Sequence, residues 1–460
     1  MIKQSRILCL VGFVAFFSSR ADAAEWRVGI ARTDITPARS LWLAGYASRK
    51  HPAEGTLHPL WAKALAIADR RDQRVVIVTL DLIGDNFERS MGDAIGARVL
   101  QRVGIARQNI VLNFSHTHCG PVTHAGAGAI VSYDLDGGQT AAVNAYTQVL
   151  EEKLVDLISR ACRHMVAAEL AFGQGEATFA MNRRALRGGR YVIAPNPQGP
   201  VDPTVPVLRV RDETGRLLAV LFGYACHNTT LGGDCYQYNG DYAGFAQLAL
   251  ETKYPGATSM FMQGCGADSN PEPRGRIELA EQHGDALARA VEHVLDQDMR
   301  PVHGHLAVAL TRVDLPFVDP PSKQELEQRR GTARGADQRL AAVLLRRIEQ
   351  HGKLPTSYPY PVQVVRFGDD LSLIGLAGEV VVDYALRLRR QLATEQTWVA
   401  GYCNEVFAYV PSERVLAEGG YEAGGAMKYF GWYGPFRPGV EERVVGAVMT
   451  LMKRCQQTGR

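Results

Sequence analysis

The densest run of side chains able to do chemistry in this sequence is Ser115-His116-Thr117-His118-Cys119-Gly120-Pro121. A neutral imidazole is a common metal ligand, and near pH 7 it can also give or take a proton. Two histidines two residues apart share a face if the chain is extended. On a helix they would point about 200° apart. The preceding residues, Asn109 to Phe114, read as a short strand. The spacing therefore predicts that the strand continues through His116 and His118 to one site and that Gly120-Pro121 ends it. The competing reading is two partly buried histidines satisfied by hydrogen bonds.

Other candidates stand in comparable places. His227 follows the apolar run Leu217 to Cys226, and ligand groups in α/β sheets collect beyond strand ends. Glu379 follows the strand-like Leu371 to Leu376 and precedes a helix, where it would act as a helix-cap acid or as a carboxylate ligand. Tyr409 lies at the end of a last strand, Trp398 to Val410, where a buried tyrosine with a bonded hydroxyl is the plain alternative. Gly264 to Pro271 is a glycine-rich turn that leaves Ser269 exposed to act on a substrate. No G-x-S-x-G elbow, Walker A motif or dinucleotide fingerprint is present. Arg183, beside Arg184, reads by itself as a surface charge.

The elements that must position these residues alternate between strand and helix. Val75 to Ile83 is a buried strand by its near-continuous apolar run, and Phe87 to Val103 has helical spacing. Val143 to Val166, Ile277 to Leu295 and Val381 to Leu392 read as helices, and Ser259 to Gly264 as a strand. Val362 to Phe367 and Leu371 to Leu376 flank a hairpin turn. Asp319 to Leu354 reads as a solvated helical excursion with both charge signs mixed. The aromatic, glycine-rich stretch Gly419 to Pro438 lines a pocket or covers a core edge. The fold class is α/β, with no linker dividing the chain.

Composition narrows the function classes. With 460 residues, 46% hydrophobic and 22% charged, the chain is an ordinary globular protein that needs no disulfide or structural metal to close its core. A net charge of +3 argues against a large nucleic-acid footprint. Lys3 and Arg6, the apolar run Ile7 to Phe17 and the small-x-small site Ala21-Asp22-Ala23 form a secretory signal, so the mature protein is expected in the periplasm or outside the cell. Cys9 leaves with the signal. The odd set Cys119, Cys162, Cys226, Cys235, Cys265, Cys403 and Cys455 remains, within which Cys226 and Cys235 could close a short loop. The sequons at Asn113 and Asn228 abut candidate site histidines and are read as chance matches.

A further set of motifs runs in order along nearly the whole mature chain. It comprises Val28 to Pro37, Ala44-Gly45-Tyr46-Ala47, Ser115 to Pro121, Asn182-Arg183, Cys226-His227 and Asn239 to Gly244. It continues with Gly264 to Pro271, Ala377-Gly378-Glu379, Asn404 to Tyr409, Tyr421-Glu422 and Gly434-Pro435. Together these resemble the neutral/alkaline ceramidase family in its N-terminal catalytic region. The resemblance implies that family's fold, mixed β-sheets flanked by helices. It also implies one signal at 1–23 and one catalytic unit over 24–460, without the C-terminal β-sandwich of longer members. It implies a zinc-dependent amidase with one zinc per chain on His116, His227, Glu379 and Tyr409, and leaves a second, structural divalent cation open. His118 would lie beside the metal as acid/base or oxyanion partner. Arg183 and Tyr421 would hold the substrate carbonyl oxygen, and Ser269 falls at the family's active-site serine. Two imidazoles and a carboxylate with an open position suit catalytic zinc, although ligand type alone also admits iron or manganese.

Two departures stand out. The serine turn reads Gly-Ala-Asp-Ser-Asn-Pro where the family has Gly-Asp-Val-Ser-Pro-Asn, and Cys119 stands where the family has serine. That thiol would either perturb the metal or simply be a small buried residue. The expected partner is an N-acyl lipid, ceramide foremost, which adds contact with a membrane surface at its periphery; nucleic acid is not expected. Phe430 to Phe436 is a candidate groove wall. Another N-acyl small molecule, such as an acyl amino acid or amino sugar, is the alternative substrate. A non-catalytic lipid- or glycan-binding protein is the rival outside enzymes. The oligomeric state stays open.

Overall fold

Alternation along the strands divides the interior into layers. In Trp61–Ala68, Ala62, Ala64 and Ala66 face one core while Leu65 and Ile67 face another. Arg74–Leu80 repeats the pattern, with Val76 and Val78 on one side and Val75 and Ile77 on the other. Period-two strands that are apolar on both faces require cover on both faces.

The computed structural model, which describes residues 25–84, 90–133, 135–392 and 396–458, shows that cover. A nine-stranded sheet runs in the order Thr258–Gln263, Leu217–Tyr224, Thr204–Asp212, Val166–Glu176, Trp26–Asp34, Trp61–Ala68, Arg74–Leu80 and Ile110–Phe114, with Arg300–Pro301 also on Val166–Glu176. A four-stranded sheet of Leu306–Pro316, Ser357–Phe367, Leu371–Leu376 and Thr397–Ala400 lies against one of its faces. Val28, Leu65, Ile77 and Leu221 meet Phe367, Leu373 and Trp398 in the core between the sheets.

Helices cover the outer faces. Met91–Val103 and Gly137–Arg163 pack on one end of the larger sheet, and Asp241–Lys253 and Ile277–Leu295 on the other. Val382–Gln391 and Val440–Thr458 cover the smaller sheet. The result is a four-layer arrangement of mixed sheets flanked by helices, as expected.

Within these two sheets pairing is parallel at three places: Arg74–Leu80 with Ile110–Phe114, Leu217–Tyr224 with Thr258–Gln263, and Leu371–Leu376 with Thr397–Ala400. Asn113 draws the three together. Its Nδ2 donates to the carbonyls of Gln263 (3.2 Å) and Gly401 (2.9 Å), and its Oδ1 accepts the Gln263 N–H at 2.8 Å. The first and last strands of the larger sheet therefore touch, and the loop after Thr397–Ala400 joins them. Lys63 adds a second tie, its Nζ lying 2.7 Å from both Glu251 and the Ser259 carbonyl.

Several boundaries differ from expectation. The strand Ile110–Phe114 stops before His116, which has a left-handed φ of 61° that no strand accommodates. Trp398 to Val410 is not one strand: Thr397–Ala400 ends where Tyr402 and Asn404 turn left-handed, and Tyr409–Val410 is a separate short strand. Helix Gly137–Arg163 begins earlier than its apolar periodicity, at a capping box of Asp136 and Gln139, and Val166 already belongs to the next strand. Helix Met91–Val103 starts after Phe87, which lies outside the described residues, as do 1–23 and Cys9.

Asp319 to Leu354 forms two helices, Lys323–Thr332 and Ala336–His351. Their outer faces are charged, but Leu326, Leu344 and Leu345 are buried in a core of their own. No disulfide occurs among the described residues: Cys235 hydrogen-bonds to Cys119, not to Cys226. Asn113 and Asn228 are fully buried, which agrees with reading their sequons as chance.

Asn113→Ala would leave three buried backbone groups without their partner. Each such group costs about 1–3 kcal/mol. Urea unfolding is therefore expected to show a loss of at least about 2 kcal/mol; an unchanged midpoint would mean that the sheet ends close without it.

Candidate metal centre

The candidate side chains emerge just past the C-terminal ends of the parallel strands. After Phe114 the backbone is pinned by Ser115 N–H to Leu80 O and His116 N–H to Leu82 O, both at 2.9 Å. The left-handed turn at His116 then does what a continued strand was expected to do, and brings His116 and His118 to one place. Their Nε2 atoms lie 3.2 Å apart. His227 follows Leu217–Tyr224, and Glu379 follows Leu371–Leu376. Glu379 is not a helix cap, since Val381 occupies the cap and Asp268 Oδ1 accepts the first helical N–H, that of Val382, at 2.9 Å. Gly378 has φ 76°, and a Cβ there would come within 2.7 Å of Ala408 O, so the turn that presents Glu379 requires glycine.

Hydrogen bonding sets the tautomers. His116 Nδ1 faces Ile83 O at 2.7 Å, and His227 Nδ1 faces Gly266 O at 2.9 Å. A carbonyl oxygen only accepts, so both Nδ1 atoms carry the proton and each neutral ring keeps a bare lone pair on Nε2. Those lone pairs point at another: Glu379 Oε2 lies 3.2 Å from His116 Nε2 and 3.0 Å from His227 Nε2. Oε2 is buried and receives no hydrogen bond among the described residues. Tyr409 Oη sits 3.3 Å from His227 Nε2 and accepts from Arg183 Nη2 at 2.9 Å. Donor atoms facing one another without a proton between them fit a metal ion. A backbone carbonyl on the far nitrogen is the usual way a ligating imidazole is oriented.

The electrostatics agree. Burial, then the Arg183 guanidinium, pull His227 down to about 4, so its ring is neutral at pH 7. His118 is held well below its ordinary value by burial and by His116 and His227.

His118 differs from the other two histidines in its support. The ring nitrogens of all three lie within 4.8 Å of one another, yet His118 Nδ1 has no partner among the described residues. Its ring is held by shape: Tyr46 stands edge-on at 4.8 Å, and a Cβ at Gly45 would collide with it.

The structure brings most of the other expected residues to the same cavity, of about 430 Å³. Arg183 and Tyr421 line it together with His116, His118, Glu379 and Tyr409. Arg183 is no surface charge. Its Nε donates to Glu422 Oε1 at 2.8 Å and its Nη1 to Asn270 Oδ1 at 3.2 Å, and Arg184 binds the other Glu422 oxygen at 2.7 Å. Ser269 is not exposed at a turn. It is buried in the strand Ser269–Pro271, paired with Ala180–Asn182, and does not line the cavity. The expected wall Phe430 to Phe436 divides: Phe430 lines the cavity with Tyr429, while Phe436 stacks on Phe317 in the core. Cys119 is a small buried residue.

Sequence reasoning assigned no role to Glu422, Asn270 or Arg274. Glu422 adjoins the quoted Tyr421, and Asn270 lies inside the glycine-rich turn, but only the folded chain shows what they touch.

Comparison with known proteins follows the same line. A family model described as neutral/alkaline non-lysosomal ceramidase, N-terminal, matches residues 26–272. The neutral ceramidase of Pseudomonas aeruginosa is 25% identical over 497 aligned residues, which cover 91% of this chain and 71% of that protein. The neutral ceramidase of Drosophila melanogaster is 26% identical over 260 residues, covering 55% of this chain and 36% of that one. The crystal structure of the Pseudomonas aeruginosa enzyme matches with a TM-score of 0.73 at 20% identity, over 95% of this chain and 75% of that chain, a likeness of fold.

If the carbonyl-oriented imidazoles and Glu379 hold the ion, His116→Ala, His227→Ala and Glu379→Ala should each weaken zinc binding in equilibrium dialysis by more than about 100-fold. His118→Ala should retain it. Equal loss in His118→Ala would instead identify a three-histidine site.

Proposed function

This chain belongs to the neutral/alkaline non-lysosomal ceramidase family, and we propose that it is an exported zinc-dependent amidase hydrolysing the N-acyl amide bond of ceramide or a related N-acyl lipid. What supports this is the convergence of lone pairs, His116 Nε2, His227 Nε2 and Glu379 Oε2, beside a cavity that His116 and Glu379 line and that has an apolar wall. When bound there, zinc supplies a Lewis acid that brings the pKa of water to about 7 and polarises the scissile carbonyl. His116, His227 and Glu379 hold the ion, with Tyr409 completing the set. A nitrogen and oxygen donor set also suits iron, but amide hydrolysis needs no redox change.

The chain's own groups do the rest. Of the five N–H groups of Arg183, three are engaged by Glu422, Asn270 and Tyr409, which leaves two. Those two, with the Tyr421 hydroxyl, are the donors for the carbonyl oxygen as it gains charge. Their bonded neighbours hold them in place, so little reorganisation is needed during the reaction. His118 is neutral before the reaction and faces the cavity. It takes a proton from the attacking water and delivers it to the leaving amine nitrogen. An acyl intermediate on Ser269 is the rival route. Its buried Oγ has no hydrogen-bond partner among the described residues, so water is the preferred nucleophile.

The acyl chain is assigned to the apolar side, where Phe430 and the short helix Ala127–Ser132 form the wall. The helices of 319–354 brace that wall from behind: Val343 packs on Ala127 and Val131, and Arg339 donates to Val131 O at 2.9 Å. Export rests on residues 1–23 as a signal, with 24–460 as the catalytic unit. No helix among the described residues is long and apolar enough to cross a membrane.

Hydrolysis of a fluorogenic N-acyl-sphingosine is the test. Zinc-loaded wild type is expected to cleave it, and His118→Ala to lose about 10²–10⁴ in kcat while keeping its zinc. A zinc-loaded wild type that cleaves no N-acyl amide would overturn the amidase assignment. Full activity in His118→Ala would remove that residue from the proton path.

A further inference from the structure

The cavity beside the metal centre has two unlike sides. Ala44, Val122 and Ala129 on one side belong to a small apolar core. The other side carries Thr229, Asn270 and Arg274. Thr229 Oγ1 and Arg183 Nη1 both donate to Asn270 Oδ1, at 3.3 and 3.2 Å. The charge of Arg183 is matched by Glu422, 2.8 Å away.

Arg274 has no such match. It is half-buried, and its Nη2 donates to Tyr46 Oη at 3.2 Å, but no carboxylate among the described residues pairs with it. Its loop is fixed by Gly275 N–H to Thr230 O at 2.7 Å. Tyr46 is fixed in turn: its hydroxyl donates to Leu231 O at 2.8 Å, and its ring stands 4.8 Å from that of His118. A second cation, Arg49, lies over the same tyrosine ring at 5.0 Å and donates to the Ala44, His118 and Cys235 carbonyls. The nearby acid, Asp241, has both oxygens on the backbone N–H groups of Thr230, Leu231 and Tyr242. This side of the cavity is therefore positive, and Arg274 is the cation that faces it with donors to spare.

Position gives that charge a meaning. Arg274 is one tyrosine ring away from His118, the residue assigned to protonate the leaving amine. A group held by Arg274 must then sit on the amine portion of the substrate, close to the amide nitrogen. A guanidinium fork matches a carboxylate, sulfonate or phosphate, and gains nothing comparable from a neutral hydroxyl.

We propose that Arg274 is a specificity-determining residue that forms an anion subsite for the amine portion, so that N-acyl amides with an acidic amine portion, as in an N-acyl amino acid, are preferred over N-acyl amino alcohols. This rests on the amidase assignment above. It goes further by naming the half of the substrate that carries charge.

N-dodecanoylglycine and N-dodecanoylethanolamine share an acyl chain and differ in the carboxylate, so they isolate the effect. With zinc-loaded wild type, the ratio of kcat/KM for the acid over the alcohol is expected to be about tenfold or more. Arg274→Gln should lower that ratio by about tenfold through KM, and Arg274→Lys should recover part of it. A wild-type ratio near one, or a ratio that Arg274→Gln does not move, overturns the proposal. If wild type cleaves neither amide, the amidase assignment has failed, and calorimetry with N-dodecanoylglycine then decides the subsite. Binding lost in Arg274→Gln sustains it; equal binding to both proteins overturns it.

Discussion

Two imidazole lone pairs and one carboxylate oxygen, with no proton to share, are held 3.0 to 3.2 Å apart in a nearly buried place. Such a grouping is unfavourable without a cation, because the buried carboxylate oxygen Oε2 of Glu379 has given up water for lone pairs it cannot bond. Much of the surrounding structure serves to enforce it. The Ile83 and Gly266 carbonyls decide which nitrogen of each ring is bare. The left-handed backbone at His116 and Gly378 aims the side chains inward. At His116, a non-glycine residue, that backbone is strained, and such strain persists only where the surroundings over-determine it, as they do around a functional site.

The fold makes the convergence feasible. Ligand sites in α/β sheets gather at the carboxyl ends of parallel strands, and here three short parallel pairs in two sheets are brought end to end. Asn113 is the link among them. It lies on the strand that leads to His116, and it bonds the strand that leads to Gly266 and the loop that follows Ala400. Around this sits a second layer of buried charge: Arg183 and Arg184 share Glu422, and Arg183 fixes the Tyr409 hydroxyl. Buried ion pairs of this sort are weak evidence for stability, since desolvation offsets most of the attraction. Their clearer consequence is geometric: they leave Tyr409 and Arg183 little freedom to turn.

How much was legible in the sequence depended on how local each signal is. His116, His227 and Glu379 could be placed because each follows a strand visible as an apolar run, and strand ends are where ligands gather. The family motifs added Tyr409, Arg183 and Tyr421. The means of convergence was not legible, since alternation suggested a continued strand and a left-handed turn leaves no mark at a histidine. Ser269 was misplaced for a related reason. A glycine-rich stretch reads as an exposed loop, but here the glycines let the chain pack tightly against Ala225 and Cys226. The early start of helix Gly137–Arg163 was written in Asp136 and Gln139 as a capping box, a signal that apolar periodicity does not weigh. Glu422, Asn270 and Arg274 acquire meaning only from tertiary contacts, and no spacing rule could have singled them out.

X-ray absorption at the zinc edge, on purified zinc-loaded protein, tests the central claim most directly. The geometry predicts a shell of nitrogen and oxygen atoms only, at about 2.0–2.2 Å, with outer-shell scattering from two imidazoles. Sulfur at about 2.3 Å would place the ion on cysteine instead, and a folded protein that retains no zinc would leave the facing lone pairs without the cation on which this account depends.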